Sequence, residues 1–160
     1  MRLVGAHERH FWDARWSLRD LVNERRDLLW RHRGAPKRGL ASFFVGWPRP
    51  PSLDDRLEIL SSADEVVVCR TPDGAVVGFA TAITDYRFAA YIPLVEVLPE
   101  HQGRGIGSQM VQTLLERLRS CYMIDLVCDD GVVPFYERLG GIRLNAVAWR
   151  NHDRLDTDDH

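Results

Sequence analysis

Between Phe88 and Cys128 the chain changes its hydrophobic period twice, and this switch constrains the fold more than any other feature. Phe88–Leu98 reads as a strand. Gly105–Ser120 carries Ile106, Met110, Leu114 and Leu118 at four-residue steps, which predicts a helix with one apolar stripe. Tyr122–Cys128 is a continuous apolar run, suited to a buried strand. A crossover of this length through a helix makes the two strands parallel neighbours. Pro93 lies inside the first of them and cannot donate to a ladder, so an edge or a bulge is expected there.

The rest of the chain arranges itself around this unit. Glu65–Thr71 is β-branched, Pro72-Asp73-Gly74 is a turn, and Val76–Thr84 returns, which predicts a hairpin. Upstream, the short apolar run Leu40–Val45 leads into a stiff loop holding Pro48, Pro50 and Pro51. Ser52 is an N-cap for a helix Leu53–Ser61, with Asp54 and Asp55 in its first turn, where the helix dipole favours acids. Downstream, a short helix Val133–Leu139 is stopped by Gly140 and Gly141, and Ile142–Trp149 reads as a last strand. Phe11, Ala14, Leu18, Leu21 and Leu28 recur at helical spacing across Phe11–Trp30, although Ser17 could cap a later start; Gly34 and Pro36 break this helix. The expected class is α/β of the α+β type, a mixed, largely antiparallel sheet with flanking helices. Residues 1–38 form a basic helical segment packed on the domain, 39–152 the domain itself, and 153–160 a polar tail.

Composition excludes several classes. At 160 residues, 45% hydrophobic and 28% charged, the chain suits one globular domain and is neither disordered nor fibrous. No stretch approaches the ~20 apolar residues of a membrane span, and Met1–His10 has no apolar leader segment. Cys69, Cys121 and Cys128 are an odd count with no C-x-x-C pair, so neither a disulfide framework nor a metal site is expected, and a reducing cytoplasm is the default. The net charge of -2 hides an asymmetry: ten Lys/Arg against five Asp/Glu in residues 1–40, eleven against eighteen in 41–160. The basic arm reads better as a solvated helix face than as a nucleic-acid contact, so no nucleic-acid partner is expected. Trp12, Trp16 and Trp30 beside its stripe either cover the sheet or pack on a second subunit, a homodimer.

The chemistry concentrates in Val97-Leu98-Pro99-Glu100-His101-Gln102-Gly103-Arg104-Gly105-Ile106-Gly107-Ser108, where a strand ends, a glycine-rich loop turns and a helix begins. Clustered backbone N–H groups and the positive end of a helix make such a loop a phosphate cradle. The nucleoside-triphosphate loop is excluded because no lysine follows the glycines. The dinucleotide fingerprint fails at its third glycine, where Ser108 stands. Coenzyme A is the third class that uses the device. Here Gln102-Gly103-Arg104-Gly105-Ile106-Gly107 resembles the [QR]-x-x-G-x-G pyrophosphate loop of the GNAT superfamily of N-acetyltransferases. A second element stands at the right distance. Asp129 to Gly140 resembles the family signature N-x-x-A-x-x-x-Y-x-x-x-G-F, with Tyr136 on its tyrosine and Gly140 on its glycine. Asp129 departs from the asparagine, Val132 from the alanine and Gly141 from the final aromatic. The resemblance covers about residues 40–150.

The resemblance implies a sheet whose parallel strands splay so that the pantetheine arm of acetyl-CoA enters between them. Main-chain groups of Val95, Glu96 and Val97 would bond that arm, and the Val97 N–H would polarise the thioester carbonyl. Gln102, Gly103, Arg104, Gly105, Ile106, Gly107 and Ser108 would hold the pyrophosphate, Asp129 would meet the pantetheine, and Arg138 or Arg143 the 3′-phosphate. Tyr136 would give a proton to the departing thiolate. Glu96, an isolated carboxylate in an apolar strand, is the candidate base, and Asp125 a second; each could also be a structural acid. Cys128 and His101 are better read as packing than as catalysts. Trp47, Tyr91 and Asp125 are the candidate acceptor contacts. The expected reaction moves an acetyl group to a primary amine, a small cationic one given the acidic body. The alternatives are a non-catalytic acyl-CoA-binding module, or a protein or aminoacyl-tRNA acceptor.

Overall fold

The structure is a computed structural model, and it describes residues 17–20 and 39–151. Among the described residues, five strands form one sheet in the order β1-β2-β3-β4-β5: β1 Ser17–Asp20, β2 Glu65–Arg70, β3 Val76–Thr84, β4 Ala89–Val97 and β5 Met123–Asp125. The first four are antiparallel to their neighbours, and β4 runs parallel to β5. Helix α1 (Leu53–Ser62) lies between β1 and β2 in the chain, α2 (Ile106–Arg117) joins β4 to β5, and the short α3 (Val133–Glu137) follows β5.

The sheet separates two cores. On one face Val67, Cys69, Val77, Ala80, Ala82, Ala90 and Ile92 pack against Ile106, Met110, Leu114 and Leu118 of the α2 segment. On the other, Val66, Val68, Val76 and Phe79 meet Leu40, Phe43, Phe44 and Leu60. The alternation along β2 is that of a strand buried on both sides. The hairpin turn closes through the Thr71 hydroxyl, which accepts from the Ala75 N–H at 2.9 Å. Ser52 caps α1 with a full capping box: its hydroxyl accepts from the Asp55 N–H at 3.1 Å, and the Asp55 carboxylate accepts from the Ser52 N–H at 3.3 Å.

The bulge expected near Pro93 is present. Thr81 faces Leu94 while Ile83 faces Tyr91, so β4 carries one extra residue across Ile92–Pro93. Its effect is to reset the alternation. Ala90 and Ile92 face α2 before the bulge, Val95 and Val97 after it, and Leu94 joins the opposite core.

Three expectations are corrected. Ser17–Asp20 is a strand paired with Val67–Arg70, not part of a helix Phe11–Trp30, because β2 would otherwise leave its outer ladder groups unpaired. The sheet therefore draws on the segment before residue 39. The remainder of that helix, with Trp12, Trp16 and Trp30, lies outside the described residues, as does the tail 153–160. The strand Tyr122–Cys128 is paired only over Met123–Asp125. Ile142–Trp149 is no strand: residues 141–150 have no regular structure and are exposed throughout.

Candidate active site

The site begins with the parallel pair. The register Ala89 with Met123, Ala90 with Ile124 and Tyr91 with Asp125 ends there, while β4 runs on to Val97. The Leu98 N–H donates to the Val77 carbonyl at 2.9 Å, so Leu98, Glu96 and Leu94 direct their main-chain groups toward β3. Val95 and Val97 direct theirs the other way, into the gap that opens where β5 stops. The Val97 carbonyl accepts from the Gln102 side-chain amide at 2.9 Å, which ties the glycine loop to the strand end. The parallel pair that parts beyond Tyr91 and Asp125 is the one that the resemblance implied.

The loop turns through one 3-10 turn, Pro99–His101, and then through Gly103 and Gly105, at φ 72° and 79°. Neither glycine is demanded by crowding, since nothing lies within 4 Å of an added Cβ; each is demanded by its left-handed φ. Gly105 is also the N-cap of α2, and no side chain caps that helix end. The N–H groups of Ile106, Gly107 and Ser108 therefore have no partner within the helix and point out of its first turn together. Gly107 would bring a Cβ to 3.6 Å from the Phe135 ring, so α3 lies against this end of α2. An outward cluster of donors beside the Val95 and Val97 main chain, turned away from β3, fits a pyrophosphate followed by an amide-bearing arm.

Tyr136 sits on α3, half-buried, with its ring against Phe135 at 4.8 Å, edge to face. Burial first, and the neighbouring Cys128 second, raise its hydroxyl above the ordinary phenol value of 10.0. The hydroxyl is therefore a proton donor throughout the neutral range. Asp129 is exposed and precedes the 3-10 turn Asp130–Val132, whose Val132 N–H donates to the Asp129 carbonyl at 2.9 Å. Arg143 is bound to Asp130 at 2.7 Å, whereas Arg138 caps the exposed end of α3. The thiols of Cys69, Cys121 and Cys128 are unbridged. Among the described residues no cluster of three His, Cys, Asp or Glu could hold a metal ion, and no helix is long and apolar enough to cross a membrane.

Glu96 does not lie loose in an apolar strand. Its Oε2 accepts from the Phe44 N–H at 2.9 Å and its Oε1 from the Val45 N–H at 3.0 Å. Phe44 is in the left-handed region at φ 65°, which turns two successive N–H groups toward one carboxylate. The same turn is held from below by Arg56, whose guanidinium donates to the Leu40 and Ala41 carbonyls at 2.8 and 2.9 Å and to the Pro51 carbonyl at 2.8 Å, and stands 5.2 Å from the Phe44 ring centre. Trp47 packs edge-on to Phe44 at 5.3 Å and is 45% exposed. Strand alternation puts Tyr91 and Asp125, paired side by side, on this same face of the sheet. Glu96, Trp47, Tyr91 and Asp125 thus share one face, and the loop of Gly103–Ser108 closes the end of the splay.

Arg56 and the Phe44–Val45 donors were not anticipated from the sequence. A signal for Arg56 exists: it falls on the apolar stripe Leu53, Leu57, Leu60 of α1, where an arginine must find acceptors.

The comparison with known proteins follows this geometry. A family model, Acetyltransferase (GNAT) family, matches residues 28–141. The chain belongs to that family. This GNAT chain is 41% identical to a putative acetyltransferase of Deinococcus radiodurans R1, with a TM-score of 0.77 over 89% of this chain and 92% of that one. It is 32% identical over 103 residues to the uncharacterized N-acetyltransferase ycf52 of Pyropia yezoensis, covering 62% of this chain and 59% of that protein. It is 33% identical over 82 residues to the glucosamine 6-phosphate N-acetyltransferase of Trypanosoma brucei brucei, covering 46% and 56%. The chain thus spans a little under three-fifths of the length of these two curated relatives. The GNAT sheet, with its antiparallel meander and splayed parallel pair, is the fold anticipated from the two motifs.

Proposed function

We propose that this GNAT protein transfers an acetyl group from acetyl-CoA to a primary amine, with both substrates bound together. The observation that carries the reading is the outward turn of the Val95 and Val97 main chain into the splay, beside the uncapped first turn of α2. Ile106, Gly107 and Ser108 N–H groups, with Gln102, Gly103 and Arg104, hold the pyrophosphate; Val95 and Asp129 align the pantetheine arm. The Val97 N–H donates to the thioester oxygen as charge builds there. The neutral amine forms the new C–N bond, the C–S bond breaks, and the Tyr136 hydroxyl protonates the leaving sulfur. Glu96 receives the proton that the amine sheds. Its two oxygens each keep a second lone pair beyond the Phe44 and Val45 donors, and those donors fix it in place. Trp47, Tyr91 and Asp125 line the acceptor side. The acidic excess of residues 41–160 supports a small cationic acceptor.

The first test is a thermal melt with millimolar acetyl-CoA and with NAD. Acetyl-CoA at ~100 times its dissociation constant adds ~2.7 kcal/mol and raises the midpoint by several degrees; NAD leaves it unchanged. The second is release of free CoA thiol against a panel of amines that includes polyamines and glucosamine 6-phosphate. Tyr136→Phe is expected to lower kcat by ~100-fold or more while acetyl-CoA still shifts the melt. Tight acetyl-CoA binding with no amine acetylated would replace this reading with a non-catalytic acyl-CoA-binding module.

A further inference from the structure

Arg56 is an exception on its helix. It stands on the apolar stripe Leu53, Leu57 and Leu60 of α1 and is only 9% exposed. Among the described residues no carboxylate pairs with its charge. A leucine there would extend the stripe without burying a cation, so the packing of α1 alone does not call for arginine. The side chain instead directs its donors at backbone. Long helical side chains lean toward the helix N-terminus, which carries this guanidinium back to the residue before the Ser52 cap. Its Nε donates to the Pro51 carbonyl at 2.8 Å, and its Nη1 to the Leu40 and Ala41 carbonyls at 2.8 and 2.9 Å.

These three acceptors lie at the two ends of one loop. Leu40 and Ala41 open it, Pro51 closes it, and the planar fork of the guanidinium joins the neck. Inside the neck the Phe44 ring centre stands 5.2 Å from the guanidinium carbon, a cation–π distance. The middle of the loop is held from the opposite side, where the Phe44 and Val45 N–H groups donate to the Glu96 carboxylate. The Trp47 N–H donates to the Phe44 carbonyl at 3.3 Å. A cation thus binds the carbonyls of the loop, and an anion binds its amides. Glu96 and Trp47 are each one hydrogen bond away from Phe44, and Phe44 packs on Arg56. Past these tethers, residues 45–50 are exposed.

We infer that Arg56 is a positioning residue for acetyl transfer: through the neck of this loop it fixes the Phe44 and Val45 amides that orient Glu96. The inference rests on the proposed role of Glu96 as the group that receives the proton of the amine. Arg56 itself touches no reacting atom. Without its fork the neck opens, Phe44 leaves its left-handed turn, and the two amides no longer converge on one carboxylate. Glu96 then keeps its charge and loses its direction, so the amine half of the reaction suffers. The glycine loop and the first turn of α2, which serve the acetyl-CoA half, make none of these contacts.

Arg56→Lys keeps the charge and much of the stem, but one ammonium cannot hold carbonyls at both ends of the neck. Hydrogen exchange reads the tether without any turnover. The Phe44 and Val45 amides are expected to exchange at least ~10-fold faster in Arg56→Lys, while those of Met110 and Leu114 in α2 stay unchanged. Release of CoA thiol reads the consequence. In Arg56→Lys, kcat/KM for the amine falls at least ~10-fold and the KM for acetyl-CoA is unchanged; in a Glu96→Gln background the same substitution costs less than ~3-fold. The unaltered protein supplies a measurement free of any folding defect: in dilute urea the Arg56 Nε–H and the Phe44 and Val45 N–H groups become exchangeable together, before α2 does. Separate opening of these groups overturns the inference, as does unchanged Phe44 and Val45 exchange in Arg56→Lys. An equal loss of activity in both backgrounds also overturns it and marks an arginine that only stabilises the fold. If the unaltered protein acetylates no amine, the proposed reaction fails, and the exchange measurements alone decide whether Arg56 positions Glu96.

Discussion

The two faces of the sheet are held by different means. On the α2 side the contacts are apolar: Met110, Leu114 and Leu118 are fully buried against Val67, Cys69, Ala80 and Ala82. On the other side a turn without regular structure, residues 41–47, is wired to its neighbours through charged side chains, Arg56 from α1 and Glu96 from β4. The first arrangement is non-directional and tolerates small shifts of packing. The second fixes individual N–H and C=O groups at hydrogen-bond distance, so it positions Trp47 more sharply than it stabilises the chain. Apolar burial builds the platform, and charged tethers place the turn that carries Trp47.

The contrast can be broken at either face. Leu114→Ala removes a fully buried side chain from the α2 core and is expected to cost about 2–5 kcal/mol, read by urea or thermal unfolding. The same face is sensitive to alkali. Burial raises the Cys69 thiol from 9.0 to about 11, so the fold holds a proton that the unfolded chain releases. Stability is therefore full below pH 9 and falls between pH 9 and about 11, by about 2–3 kcal/mol, and Cys69→Ala removes that part of the slope. Glu96→Ala strands the Phe44 and Val45 N–H groups and should cost about 1–3 kcal/mol, with a shift of Trp47 emission that Leu114→Ala does not produce. Ser52→Ala opens the capping box of α1 and is expected to cost about 1 kcal/mol in a denaturant melt. The smallest effect is at Asp85, an exposed carboxylate lowered from 3.8 by the N–H groups of Arg87, Phe88 and Ala89. Its contribution is present above pH 3.8 and lost as pH falls through the lowered value; Asp85→Asn should flatten the acid limb of the stability profile there.

What could be read from the residues was what local rules govern. The hairpin of β2 and β3, the Ser52 cap, the bulge at Pro93 and the glycine loop each follow from a short string whose backbone demands are explicit. Long-range pairings escaped. Ser17–Asp20 lies within a longer run, Phe11–Trp30, whose apolar residues have helical spacing, yet the open side of β2 takes it as a strand, a tertiary override of local pattern. Ile142–Trp149 has the alternation of a strand but pairs with no strand among the described residues. In the site, the glycine loop ahead of α2 was legible, because the left-handed φ of Gly103 and Gly105 is what those glycines are for. The tethering of Glu96 could not be read, since its partners are 52 and 51 positions away and are backbone groups that any residue would supply.

The extra residue at Ile92–Pro93 works as a phase shifter. A strand with strict alternation from Ala90 onward would aim Glu96 at the α2 core and turn the Val95 and Val97 amides toward β3. One inserted position reverses both parities together, and proline sits there without leaving an amide hydrogen unsatisfied. Removing a single codon at this point would therefore invert the strand's downstream half, pushing a carboxylate into hydrocarbon and hiding the main-chain donors that the splay exposes. The reading frame of side-chain orientation, set once in nine residues of β4, decides which main-chain groups face the gap beside β5.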